Sequence, residues 1–167
     1  MDFSPFEIVP VGTRPPRSRP LGTPEGLADR MRTAAFAEFQ AIAAFTWAVD
    51  TFTDVPTGLT EAWRGQIPEE QLHYNLIVAR MGELGFSLTE RPVSAGLWDS
   101  LRPCTSGQQF CVRIAAAEER GRLAGVRLVA YLAQSDPATA AVFHRIVAEE
   151  VAHVALANKY FGWTPGN

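Results

Sequence analysis

The sequence predicts an all-α chain: four long helices, a long crossover between the second and third, and an extended N-terminal arm. Three observations predict it. Apolar residues recur at three- and four-residue steps through four segments of helical length. Proline, glycine and capping residues punctuate the joins between those segments. Finally, Glu69-Glu70-Gln71-Leu72-His73 recurs as Glu149-Glu150-Val151-Ala152-His153, so the second and fourth helices each carry Glu-x-x-His.

Residues 1–22 form the arm. They hold Pro5, Pro10, Pro15, Pro16 and Pro20 with Arg14, Arg17 and Arg19. Proline at that density blocks a helix and favours extended backbone, lying across the helices or a partner subunit or left as a frayed end. The helical domain is expected over 23–163. Thr23-Pro24 opens the first helix, with Thr as cap and Pro in the first turn. It runs to about Thr53. Met31, Ala35, Glu38, Ile42, Phe45 and Val49 make one stripe on it, in which Glu38 is the only acid. An acid inside an apolar stripe needs a partner or a metal.

The second helix runs from about Gly58 to Leu84, with a kink or restart expected at Pro68. Residues 86–106 show no sustained period and are too long for a tight turn, so they read as the crossover, pinned by Leu97-Trp98. The third helix spans about Gly107 to Gln134. Arg113, Arg120 and Arg127 repeat every seven residues and mark its solvated face. Glu118 lies about 200° round from Arg120 and so points inward, which makes Glu119 the poorer candidate. Ser135-Asp136-Pro137 starts the fourth helix, which runs to about Tyr160.

Composition bounds the function. The 167 residues suit one domain with a full core. A net charge of −3 gives no reason to propose nucleic acid. No apolar run reaches membrane-spanning length, and the first residues lack a signal peptide's basic and apolar regions. A cytoplasmic protein is therefore expected. Cys104 and Cys111 read as small buried hydrophobes rather than a redox or metal motif.

On a helix, positions i and i+3 share a face, so the carboxylate and imidazole of Glu-x-x-His can grip one ion. Two of the three histidines have a Glu three residues before them. The third, His144, does not, and it lies about 180° round from His153, so it reads as surface or packing. Glu38, Glu70, His73, Glu118, Glu150 and His153 each fall near the middle of a helix. Antiparallel helices of similar length bring such positions to one layer. Four carboxylates there would repel one another unless two divalent ions balanced them. Oxygen and imidazole donors without thiolate suit iron or manganese. Glu69 and Glu149 stand where they could hydrogen-bond the histidine of the opposite half. Tyr74 and Tyr131 read as packing residues.

These motifs resemble the ferritin-like di-iron carboxylate superfamily, and most closely a bacterial ferritin-like branch of unknown function. The resemblance runs through Leu21-Gly22-Thr23-Pro24-Glu25-Gly26, Glu38-Phe39-Gln40-Ala41-Ile42 and Glu69-Glu70-Gln71-Leu72-His73-Tyr74. It continues at Leu97-Trp98, Glu118-Glu119-Arg120-Gly121, Glu150-Val151-Ala152-His153-Val154-Ala155 and Asn158-Lys159-Tyr160-Phe161. It implies a ferritin-like four-helix bundle with two iron ions on Glu38, Glu70, His73, Glu118, Glu150 and His153. Phe36 and Ala37 depart from it, standing where members often carry a polar or histidine residue, so a more apolar pocket is expected. The leading functional expectation is an O2-dependent oxidoreductase acting on a small molecule, served by an unspecified electron donor. An iron-handling ferroxidase or peroxide scavenger is the second. A non-catalytic ferritin-like binding module is the third. A homodimer is compatible with all of them.

Overall fold

The computed structural model describes residues 2–166, so Met1 of the arm lies outside it. Five helices form: α1 (Pro24–Thr51), α2 (Thr57–Glu83), α3 (Gly96–Leu101), α4 (Gly107–Leu132) and α5 (Pro137–Phe161). No β-strand forms among the described residues, although an isolated bridge joins Ile8 to Val93. No helix among them is long and apolar enough to cross a membrane. The long helices end within two residues of the expected boundaries, because the caps are strong. The Thr23 hydroxyl accepts from Gly26 N at 3.1 Å, and the Asp136 carboxylate accepts from Thr139 N at 3.1 Å. Gly162 takes φ 67° at the end of α5, a left-handed turn that glycine adopts without strain.

Two expectations need correction. α2 does not restart at Pro68 but stays helical from Thr57 to Glu83. Pro68 and Arg64, whose carbonyl loses its usual donor, are both exposed, so water can satisfy the freed oxygen. The crossover, expected without regular structure, contains α3. Gln40 holds it to α1, accepting from Trp98 N at 3.0 Å, while the Trp98 indole meets Trp47 edge-on at 5.8 Å. Leu97-Trp98 therefore pins the crossover as the sequence suggests.

α1 packs along α2, and α4 along α5; α2 and α5 join the two halves, whereas α1 and α4 barely touch. Gly125 permits the close α4–α5 approach, since a Cβ there would lie 2.5 Å from a Val147 methyl. Direction follows from Gly107 N, which donates to the Asp54 carboxylate of the α1–α2 turn at 3.0 Å. α4 thus starts where α1 ends, and the crossover travels the length of the domain.

The apolar core is split in two. One cluster contains Phe45, Trp63, Phe110 and Ala157; the other contains Met31, Ile77, Leu128 and Phe143. On each long helix an acid falls between the two clusters: Glu38, Glu70, Glu118 and Glu150. A layer of carboxylates is thereby sandwiched between two apolar ends.

The arm lies across the chain's own helices. Phe6 is buried against Phe36, ring centroids 4.7 Å apart, and Val9 N donates to Val93 O at 2.9 Å. Gly26 lets it cross the first turn of α1, since a Cβ there would meet Pro20 O at 1.8 Å. This second covering explains why α1 buries more than the single stripe expected of it. Asp29 is the electrostatic hub, paired with Arg19 at 2.7 Å, Arg91 at 2.6 Å and the buried Arg32 at 3.0 Å. Burial opposes its ionisation, but hydrogen bonds from Arg19 and the charge of Arg91 hold it well below the usual carboxylate range. Asp29→Ala leaves Arg32 buried with half its compensation gone. It is expected to cost about 3 kcal/mol in denaturant unfolding without changing the metal content.

Candidate metal centre

Helix phase aims the acids. Glu70 and His73 lie one turn apart on the buried face of α2, and Glu150 and His153 repeat this on α5; all four are buried. Glu118 turns inward, as its phase to Arg120 predicts. Its neighbour Glu119 turns away and accepts two hydrogen bonds from Arg122, at 2.6 and 2.9 Å. His144 is exposed.

The six expected side chains meet. Donor atoms of Glu38, Glu70, His73 and Glu150 all lie within 4.8 Å of one another, and so do those of Glu70, Glu118 and His153. Each group could hold a metal ion, and Glu70 belongs to both. Both histidines present Nδ1 to the acids. His73 Nδ1 lies 3.4 Å from Glu150 and 3.7 Å from Glu70; His153 Nδ1 lies 3.0 Å from Glu70 and 3.5 Å from Glu150.

The outer ring nitrogens are tied across the two helices. His73 Nε2 donates to Glu149 at 2.8 Å, and His153 Nε2 donates to Glu69 at 2.7 Å. Each motif thus supplies the second carboxylate that orients the other motif's imidazole. A carboxylate acceptor puts a proton on Nε2, which leaves the Nδ1 lone pair for a metal in the neutral ring. Glu149→Gln weakens this hold while keeping the side chain's shape. We expect metal affinity to fall about ten- to a hundredfold, measured by competition with a chromophoric chelator.

The donor set fits a cation. Glu70 Oε1, Glu118 Oε1, Glu150 Oε2 and the Nδ1 atoms of His73 and His153 are buried without a hydrogen-bond partner. Orphaned buried acceptors are rare, and each costs free energy unless something binds it. Burial and the charges of the other acids push Glu38 and Glu118 well above the usual carboxylate range. Burial also opposes the charge on Glu70, but the His153 and His73 imidazoles beside it win and hold it at about 2. Burial would lower both imidazoles, yet the surrounding acids raise His73 to about 12 and His153 to about 11. Without metal the layer therefore balances its charge with protons.

Opposite the tied histidines the layer opens into a cavity of about 850 Å³ in the gap between α1 and α4. Ala37 lines it, in keeping with the apolar pocket expected from that position; Phe36 is instead buried in the core. The free, buried cysteines match their sequence reading. Burial, with the nearby charge of Glu118, pushes the Cys111 thiol up to about 12. Tyr74 packs on Phe39 at 5.6 Å, while Tyr131 is half exposed at the cavity edge. Sequence reasoning missed Gln66, which lies one turn before Glu70, buried, with its Oε1 unpartnered. The i−4 spacing from Glu70 was the available signal.

The family model described as "Protein of unknown function (DUF455)" matches residues 5–167, and the chain belongs to that family. Comparison with curated proteins finds no match.

Proposed function

We propose that this family member is a ferritin-like four-helix bundle that holds two iron ions, or manganese, and acts as an O2-dependent oxidoreductase on a small organic substrate. Glu38, Glu70, His73, Glu118, Glu150 and His153 are the ligands. The observation that carries the reading is the asymmetry of the acid layer. One side is closed by two carboxylate-tethered histidines, and the other opens into an apolar cavity large enough for an organic molecule. A ferroxidase needs an entry path for ions but no such cavity.

The bound ions would supply O2 activation, with electrons from an external donor. The protein's own residues do the rest. Glu69 and Glu149 hold protons at the Nε2 atoms and keep both rings aimed. The cavity walls orient the substrate against the open side of the layer and keep it dry.

The test loads ferrous iron anaerobically, measures iron per chain, then admits O2. Two ions per chain with O2 uptake that stops at the bound iron, and rises with substrate, supports the oxidoreductase. Continued oxidation of added iron into mineral, on a large oligomer by gel filtration, would turn the reading to iron handling. Less than one ion per chain, with a melting temperature indifferent to chelator, would leave a binding module.

A further inference from the structure

Arg120 and Arg127 read in the sequence as part of a solvated stripe, and Arg30 carried no assignment. The structure puts all three around the cavity that opens on the acid layer. Its walls are built from small side chains. Ala34, Ala37 and Ala41 of α1 face Ala117, Gly121 and Ala124 of α4, which is why the gap between these helices stays open. Its floor is Glu38, Glu70, Glu118 and Glu150, three of them with buried, unpartnered oxygens.

Helix rise sets the spacing. Arg30 precedes Glu38 by eight residues, ~12 Å along α1, and Arg127 follows Glu118 by nine, ~13 Å along α4. The helices run antiparallel, so both displacements point to the same end of the domain. The two residues therefore stand at one backbone level on facing helices, ~12 Å along the axis from the acid layer, and both line the cavity. Both are exposed, and among the described residues neither makes an ion pair or side-chain hydrogen bond. Nearby Arg122, by contrast, is held by Glu119 at 2.6 Å. Two unpaired cations at one end of an apolar cavity, in a chain of net charge −3, form a local field that selects an anion.

We propose that the cavity takes an amphipathic organic anion, its carboxylate or phosphate head between Arg30 and Arg127 and its apolar body directed at the acid layer. The orientation rests on the di-metal reading: two dications neutralise the floor, and the arginines then decide which end of the ligand is held out. A positively charged head would be repelled, and a neutral one would leave both guanidiniums unpaired.

Calorimetry on the metal-loaded protein tests this with decanoate, decyl phosphate, decanol and decyltrimethylammonium, at low ionic strength and below micelle formation. At least one anion should bind about tenfold or more tightly than decanol, and the ammonium should bind weakest. The tighter of the two anions identifies the head. Arg30→Gln with Arg127→Gln should remove the anion's advantage and leave decanol unchanged, whereas Gly121→Leu should block all four by filling the cavity. Equal binding of decanol and both anions, or an arginine double variant that keeps the advantage, overturns the proposal. Metal content measured on the same samples separates the two ideas. Two ions per chain without anion preference sinks the anion pocket alone; absence of metal sinks the di-metal reading, and the arginine comparison is still read on its own.

Discussion

Glu70→Ala is expected to empty the centre of both ions, while Glu38→Ala and Glu118→Ala each leave about one ion bound per chain. The asymmetry follows from position. Glu70 alone belongs to both donor groups. Its Oε1 lies 3.0 Å from His153 Nδ1 and its Oε2 lies 3.7 Å from His73 Nδ1, so each oxygen serves one side. Glu38 adds to the His73 group and Glu118 to the His153 group. Losing either removes one ligand from one ion; losing Glu70 removes one from each and also the acid that partly screens them from each other. Metal analysis after equilibration with ferrous iron checks the series, with helical circular dichroism as the fold control. Glu119→Ala is the internal comparison, since its carboxylate is turned to Arg122, and it should retain the full complement. A Glu70→Ala protein that keeps as much metal as Glu38→Ala would show that the two groups do not share a ligand.

How much of this centre the sequence makes legible depends on whether the information is local. Glu-x-x-His encodes a shared helix face within four residues, and the heptad of arginines fixes the phase that favours Glu118 over Glu119. Even the exchange of Glu69 and Glu149 between motifs can be anticipated, because both precede a ligand position by one residue on helices that must face each other. The crossover helix is harder to see. Six residues are too few to show a period, and α3 is held by Gln40 and Trp47, distant in sequence. That α2 does not restart at Pro68 is not legible either, because the cost of that proline depends on whether Arg64's carbonyl meets water, which is a tertiary fact. The cavity is the least legible feature. It exists because α1 and α4 stay apart, and small residues read as ordinary helix formers until that separation is known. For the same reason Arg120 and Arg127 look like a solvated face when they also border a cavity.

Removing the metals is expected to reverse the sign of the protein's stability against pH. Take the metal-free chain first. Glu38 and Glu118 have folded-state values raised well above 4.5, so above pH 4.5 the folded chain holds protons that the unfolded chain has released. His73 and His153, raised to about 12 and about 11 from 6.5, do the same above pH 6.5. A folded state that binds more protons loses stability as pH rises. Glu70, held at about 2, has the opposite sign, but its contribution is gained between pH 2 and 4.5 and is constant above. From pH 5 to 9, stability of the metal-free protein should therefore fall, and more steeply above pH 6.5, where the two imidazoles add to the two acids.

With metal bound the argument inverts. The ions need ionised carboxylates and neutral Nδ1 atoms, so loading displaces one proton from each of His73 and His153, together with those that the raised Glu38 and Glu118 carboxyls hold. Metal affinity, and the stability it adds, therefore rises with pH over the range in which the metal-free protein weakens. Urea titrations at pH 5.5, 7 and 8.5, with and without chelator, measure both slopes, and calorimetry in buffers of different ionisation enthalpy counts the released protons. Parallel slopes with and without metal would mean that the four groups keep their protons in both states, and so are not ligands. Opposite slopes require the same four sites to hold protons in one state and metal in the other, a demand that acids and imidazoles on a solvated helix face do not meet.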